Sequence, residues 1–278
     1  MNPLLKLLRW FTILSLDAAS VALVWQLAFA RTFQLSLGWH HSVILVLAVW
    51  LAYAADRWFD GWRLEKDNPQ SERHRFYRSN RRLLPFIWIP LFATSIFLSI
   101  HRLSATELRS GLYLLSATLL YFGLIHLIQI KEHKGLPKEI GTGLLFAAGV
   151  GLFLFPGSID PLLPLYLCLF GLLCFVNCAF IGIWEEDNDK EQRQASLARH
   201  HPSIIHWIPA IAPFLSLLSL LPLLWDSAYT LWPLAASFSA SFLLLDLLHR
   251  THRNIPVKII RPLADLVLLS PLILLLFL

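Results

Sequence analysis

Stretches of about 20 mostly apolar residues recur along the whole chain, and each has the length that a helix needs to cross a bilayer. Of the 278 residues, 56% are hydrophobic and 15% are charged, a balance that excludes an ordinary soluble domain. We therefore expect an all-α membrane protein in which residues 1–278 form a single polytopic domain. The nine predicted spans are residues 11–30, 40–57, 83–100, 107–128, 140–156, 162–183, 204–224, 229–248 and 259–278.

The basic residues are distributed in a way that orients these spans. With the N-terminus in the cytoplasm, 20 of the 23 Lys and Arg fall in cytoplasmic segments, and only Arg31, Arg102 and Arg109 do not. The positive-inside rule describes this asymmetry. It predicts a protein of the cytoplasmic membrane with its C-terminus outside. The net charge of +5 then reflects topology and argues against nucleic-acid binding.

Two short acidic segments close the second and the sixth predicted span, both on the cytoplasmic side. Asp56 and Asp60 are four residues apart, and so are Glu185 and Asp189, so each pair lies on one face of a helix. For one pair alone, solvated carboxylates at a helix end are an equally good interpretation. Two matching pairs on one side favour Mg²⁺ bound between carboxylates and a diphosphate, because Mg²⁺ prefers oxygen ligands.

Other polar residues lie in the cytoplasmic halves of the predicted spans. An interhelical hydrogen bond is the role expected for any single one of them. For Asn177, two turns before Glu185, and for Asp17, well inside the first span, substrate binding is a further hypothesis. The full set is Asp17, His126, Gln129, Asn177, Asp246, His249 and Asp265.

The two acidic segments, one after the second helix and one after the sixth, resemble the aspartate-rich motifs of the UbiA superfamily of intramembrane prenyltransferases. The first family motif has the form N-D-x-x-D-x-x-x-D, and its last two carboxylates match Asp56 and Asp60. The second, D-x-x-D-x-x-x-D, matches at Glu185 and Asp189. The stretch 138–149 also resembles the start of the family's fifth helix. The resemblance implies nine helices, arranged as two four-helix halves plus a ninth.

The chain departs from the family pattern at three motif positions. Ala52 and Tyr53 stand where the first motif has Asn and Asp, and Gly182 stands where the second motif begins. These departures favour an alternative, a non-catalytic relative that binds lipid or acts in assembly. A CDP-alcohol phosphotransferase is a weaker alternative, because after Asp60-Gly61 the other carboxylates of that motif are absent nearby.

The resemblance implies Mg²⁺-dependent transfer of a prenyl group from a prenyl diphosphate to a hydrophobic acceptor, aromatic or lipid, in the bilayer. Asp56, Asp60, Glu185 and Asp189 are then metal ligands. Arg57 contacts the leaving diphosphate, and Lys131 matches a basic position of the family after the fourth helix; topogenic charge is the alternative role of Lys131. Phosphate contacts are also expected in the loop after the first motif, where contact with anionic lipid or topogenic charge is the alternative. Those loop residues are Arg73, Arg75 and Arg78.

Overall fold

The computed structural model describes residues 3–63, 72–131, 138–155, 160–186, 197, 203, 206–224 and 231–275. Within these ranges the chain is helical and contains no strand. It also contains two short 3₁₀ helices, Leu221–Leu224 and His252–Asn254. The helices are α1 (Pro3–Ile13), α2 (Leu16–Thr32), α3 (Trp39–Arg63), α4 (Glu72–Ser79), α5 (Leu84–Arg102), α6 (Ala105–Lys131), α7 (Lys138–Gly151), α8 (Leu162–Trp184), α9 (Ile208–Leu220), α10 (Trp232–Thr251), α11 (Val257–Val267) and α12 (Pro271–Leu275).

Five of these helices are long and apolar enough to cross a membrane, which makes the chain an all-α membrane protein. The other four predicted spans correspond to shorter or interrupted helices in the described part of the chain. One of these is the apolar segment Ile208–Leu224. The five long apolar segments are Trp39–Phe59, Leu84–Arg102, Ala105–Ile125, Leu162–Trp184 and Trp232–Asn254.

Local backbone chemistry accounts for two of the interruptions. The first predicted span is divided between α1 and α2 because Ser15 adopts a left-handed conformation, with φ 57°, that a continuing helix does not allow. The ninth predicted span is divided between α11 and α12. Pro271 begins α12 at the first helical position, where its fixed φ is favourable and its missing N–H costs nothing.

The hydrophobic core lies between α2, α8, α9 and α10 and is rich in aromatic rings. Trp25 is fully buried; its ring centroid is 4.3 Å from that of Phe238 and 5.1 Å from that of Phe170. Its indole N–H donates to the carbonyl of Leu268, 2.8 Å away, in the turn between α11 and α12. Trp25 thus joins three parts of the bundle.

Helices α5 and α6 lie at the outside of the bundle. Helix α5 packs on α3, α6 packs on α7, and most of their large apolar side chains face outward. Such surfaces suit contact with lipid tails.

Indole hydrogen bonds attach two turns to α3, the turn before α2 and the turn before α5. Trp50 donates to the carbonyl of Leu14 at 2.9 Å, and Trp58 donates to the carbonyl of Arg81 at 3.1 Å. The beginning of α2 and the turn before α5 therefore lie beside the second half of α3, which carries the first acidic segment.

Helices α7 and α8 approach each other closely at two glycines. A methyl group added at Gly143 would lie 2.5 Å from the carbonyl oxygen of Gly171, so no side chain fits between the backbones. Because this contact fixes α7 against α8, it also fixes the first turn of α7, which carries Glu139.

Candidate functional site

Charged and polar side chains collect where α3 and α8 end, where α2 and α7 begin and along α11. These groups come from helices far apart in sequence; Glu185 pairs with Arg261, Asn177 bonds to Asp265, and the others lie nearby. We call them the polar cluster. Its members are Asp17, Arg57, Glu139, Asn177, Glu185, Arg261 and Asp265.

The strongest contact in the polar cluster is the ion pair of Glu185 with Arg261. Nη1 of Arg261 donates to both carboxylate oxygens of Glu185, at 2.7 and 2.8 Å. Both side chains are about one-fifth exposed, 21% for Glu185 and 22% for Arg261. The pair connects the carboxyl end of α8 to α11.

Two further carboxylates lie near Arg261. Asp265, one turn along α11, and Asp17 of α2 both interact electrostatically with its guanidinium. Asp17 and Asp265 also line one small cavity between the start of α2 and α11. Arg261 therefore has more than one carboxylate in its neighbourhood.

Asn177 connects α8 to the same group. Its side-chain N–H donates to Oδ1 of Asp265 at 3.3 Å, while its own Oδ1 is sheltered from solvent with no hydrogen-bond partner among the described residues. The predicted interhelical hydrogen bond of Asn177 and Asp265 is therefore confirmed. A similar bond joins Trp184 to His249 at 3.4 Å. Substrate binding by Asp17 and Asn177 remains a prediction.

The first acidic segment contributes Asp56 and Arg57. Nη1 of Arg57 lies 3.5 Å from Oδ2 of Asp56, and the Arg57 side chain is mostly buried. Tyr53 packs edge-on against Phe146 of α7 and lies near both Arg57 and Asp17. Tyr53 therefore faces the interior of the bundle, between this segment and the start of α2.

Glu139, in the first turn of α7, holds the segment that follows the second acidic pair. Its Oε1 accepts the backbone N–H of Leu197 at 3.1 Å, and both residues are buried. Its Oε2 is buried with no hydrogen-bond partner among the residues that the structure describes. Because a buried carboxylate is costly to leave unpaired, Glu139 is a functional candidate as well as a tether.

Asp56 of the first acidic segment and Glu185 of the second each lie beside a basic side chain, Arg57 and Arg261. Direct convergence of the two acidic pairs stays a prediction, since the Asp60 side chain and the whole of Asp189 lie outside the described residues.

The remaining predicted site residues are basic. Arg75 is exposed and Arg78 is half-buried, both on α4. The side chains of Arg73 and Lys131 lie outside the described residues. The predicted phosphate contacts of these four residues remain predictions.

The donors of the polar cluster suit Mg²⁺ chemically, because carboxylate oxygens are its preferred protein ligands. Within the described ranges no three His, Cys, Asp or Glu side chains form a ready-made metal site. Mg²⁺ needs only one or two protein carboxylates when phosphate oxygens and water complete its coordination. Mg²⁺ binding therefore remains a prediction.

Three members of the polar cluster are absent from the site predicted from the sequence: Arg261, Glu139 and Asp265, the last of which was expected only to make an interhelical hydrogen bond. Arg261 follows three other basic residues at the start of the last span and is indistinguishable there from topogenic charge. Glu139 lies in the stretch that resembles the family's fifth helix, but nothing in its sequence neighbourhood predicts that it is buried.

No protein-family model, curated protein or solved structure matches the chain.

Proposed function

We infer that the protein catalyses Mg²⁺-dependent transfer of a prenyl group from a prenyl diphosphate to an aromatic or lipid acceptor in the membrane. The observation that carries this proposal is the polar cluster itself. Ionisable side chains of a membrane-embedded bundle are costly and commonly mark a substrate or ion site. Here they gather at the ends of α3 and α8, the two helices that carry the motif-like acidic pairs.

The proposal includes a finer architecture. The chain would cross the cytoplasmic membrane nine times, as two four-helix halves and a ninth helix with UbiA-like topology. The N-terminus and both acidic segments would lie in the cytoplasm, and the C-terminus outside. The charge asymmetry of the loops supports this orientation.

In the proposed reaction, the bond between the allylic carbon and the diphosphate oxygen breaks, and the diphosphate leaves with the electron pair. The acceptor then forms a bond to that carbon and releases a proton. The chemistry that bound Mg²⁺ supplies is neutralisation of the charge growing on the diphosphate. Asp56, Asp60, Glu185 and Asp189 would hold the metal, and Arg57 would donate to the phosphate oxygens.

The other predicted residues have supporting roles in the proposal. Lys131 and the α4 arginines would draw the diphosphate to the site by charge. Asp17 and Asn177 would bind substrate at the inner side of the polar cluster. The membrane supplies both the prenyl tail and the acceptor, so the hydrophobic surroundings are part of the site.

A non-catalytic lipid-binding or assembly protein is the second candidate, and one contact favours it. Both oxygens of Glu185 are engaged by Arg261, so this carboxylate is already neutralised without a metal. Such a permanent ion pair would suit a protein that kept the bundle and lost turnover.

The test uses purified protein in lipid nanodiscs with a panel of prenyl diphosphates, with and without a membrane lipid extract as acceptor source. We expect pyrophosphate release that needs both Mg²⁺ and the extract. Asp60→Asn and Asp189→Asn should each lower the rate about 100- to 1,000-fold, since each removes a charged ligand from the site.

Glu107→Gln is the matched control for these variants. Glu107 is also a carboxylate on a long helix, but it lies in the first turn of α6, at the end opposite Lys131. It pairs there with His41, 3.0 Å away. This variant should keep normal activity. Turnover that survives in excess chelator, or in both aspartate variants, would refute the proposed chemistry and leave the non-catalytic alternative.

A further inference from the structure

Arg261 has N–H donors that its contact with Glu185 does not use, and such donors could bind a phosphate group. Nη1 alone makes the contact with Glu185, and Nε is sheltered from solvent with no hydrogen-bond partner among the described residues. A guanidinium presents its N–H groups in a planar fork, so an anion with several oxygens would use donors that a single carboxylate leaves idle.

The charges around Arg261 set the direction of such an exchange. Asp265 and Asp17 lie near this guanidinium as well as Glu185. A divalent cation bound by Glu185 would draw that carboxylate away from part of its contact with Arg261. N–H donors of Arg261 would then be available to the diphosphate that accompanies the cation.

We propose that Arg261 binds the diphosphate of the substrate, and that its ion pair with Glu185 is the resting contact which the diphosphate replaces. This inference rests on the proposed function and adds to it a binding residue from α11. It also gives the ion pair a role in an active enzyme. Arg261 would neutralise Glu185 before the diphosphate binds, and Glu185 would then be available to hold the metal.

The exchange accounts for the choice of Arg over Lys at this position. Guanidinium groups pair with carboxylates and with phosphates in the same forked geometry, so one side chain can serve both partners in turn. When the allylic bond breaks, negative charge grows on the diphosphate oxygens, and a donor that already contacts them stabilises that charge.

The test measures binding of inorganic diphosphate to the full chain in nanodiscs by calorimetry, in the presence of Mg²⁺. We expect Arg261→Gln to weaken binding about 10- to 100-fold, the range for charge-assisted hydrogen bonds. Arg250→Gln is the matched control, because Arg250 also pairs with a carboxylate, Asp246 at 2.7 Å, near the end of α10. That control should bind diphosphate as the wild type does.

A double variant separates binding from a merely structural role. If Arg261 acts only by neutralising Glu185, Glu185→Gln combined with Arg261→Gln should bind diphosphate as well as Glu185→Gln alone. We expect the double variant to bind at least about tenfold more weakly than Glu185→Gln. Thermal unfolding of the same variants reports the structural contribution of the pair independently.

The outcomes distinguish this inference from the function on which it rests. If the wild type binds diphosphate with Mg²⁺ and Arg261→Gln binds it equally well, the role of Arg261 is refuted and the proposed function stands. Equal binding by the double variant and Glu185→Gln has the same consequence. If the wild type binds neither inorganic diphosphate nor any prenyl diphosphate, the proposed function and this inference both fail.

Discussion

Substituting Gly143 tests the contact that positions α7 against α8. The added methyl of Gly143→Ala would lie 2.5 Å from the carbonyl oxygen of Gly171 and 3.3 Å from Cβ of Phe175. Ordinary contact begins near 3.4 Å, so the two backbones must separate locally by about 0.9 Å. Overpacking of this kind typically costs about 1–3 kcal/mol, and the higher helix propensity of Ala offsets at most about 1 kcal/mol. We expect a net loss of about 1–2 kcal/mol in the free energy of unfolding.

Two other glycines supply graded controls. A methyl at Gly171 would meet Cβ of Ala147 and the carbonyl oxygen of Gly143 at 3.2 Å each, a milder conflict. A methyl at Gly123, on the outer helix α6, would meet nothing within 4 Å. Thermal unfolding in detergent, followed by tryptophan fluorescence, should therefore rank the alanine variants with Gly143→Ala least stable, Gly171→Ala next and Gly123→Ala equal to the wild type or better.

The ranking makes the reasoning refutable. If Gly143→Ala unfolds at the same temperature as Gly123→Ala, then α7 and α8 are not in backbone contact. The rigid placement of Glu139 would then lose its basis. If Gly143→Ala weakens diphosphate binding and leaves the stability unchanged, the α7–α8 contact shapes the binding site and contributes nothing to packing stability.

Three further outcomes are expected. Trp25→Phe should lower the stability by about 1–3 kcal/mol, because it removes a buried indole hydrogen bond and leaves a small cavity; chemical unfolding measures this. Glu139→Gln should keep its acceptor for the N–H of Leu197, whereas Glu139→Ala should lose it and make the chain around Leu197 easier to cleave in limited proteolysis. In a Cys168→Ser background, a cysteine at exposed Arg75 should react with a membrane-impermeant thiol reagent from the cytoplasmic side, and one at exposed Arg102 from the opposite side; labelling of both from one side would refute the topology.

The sequence was sufficient for the five long apolar helices and insufficient for the interruptions and for the contacts between helices. Hydrophobic length predicted α3, α5, α6, α8 and α10 closely, because a bilayer-spanning segment must satisfy its backbone within one helix. The break at Ser15 was not predictable, since its left-handed conformation depends on how α1 and α2 pack. The hydrogen bond of Asn177 with Asp265 was expected in kind, but its partner follows only from the placement of α11 beside α8.

Arg261 shows why the site is harder to predict than the helices. A basic residue near the cytoplasmic end of a span satisfies the positive-inside rule whether or not it also binds a ligand. The sequence alone therefore does not distinguish an Arg that orients the helix from one that binds phosphate. The distinction requires knowing which carboxylate it meets. Glu185 lies 76 residues earlier, on a different helix, and no periodicity connects the two. The two acidic pairs, by contrast, are visible in the sequence because the members of each pair lie four residues apart.

The position of the polar cluster constrains how a prenyl diphosphate would lie in the bundle. The middle of the bundle, between α2, α8 and α10, is filled by Trp25, Phe170 and Phe238, none of which is exposed. A long isoprenoid cannot extend from the polar cluster along the bundle axis without displacing these rings, and large rearrangements of a close-packed aromatic core are costly. Under the proposed function, the diphosphate therefore lies at the polar end of the bundle, and the hydrocarbon tail leaves sideways towards the lipid. An acceptor would meet the allylic carbon near that end too, so its reactive atom must reach the level of the membrane where Glu185 and Arg261 lie.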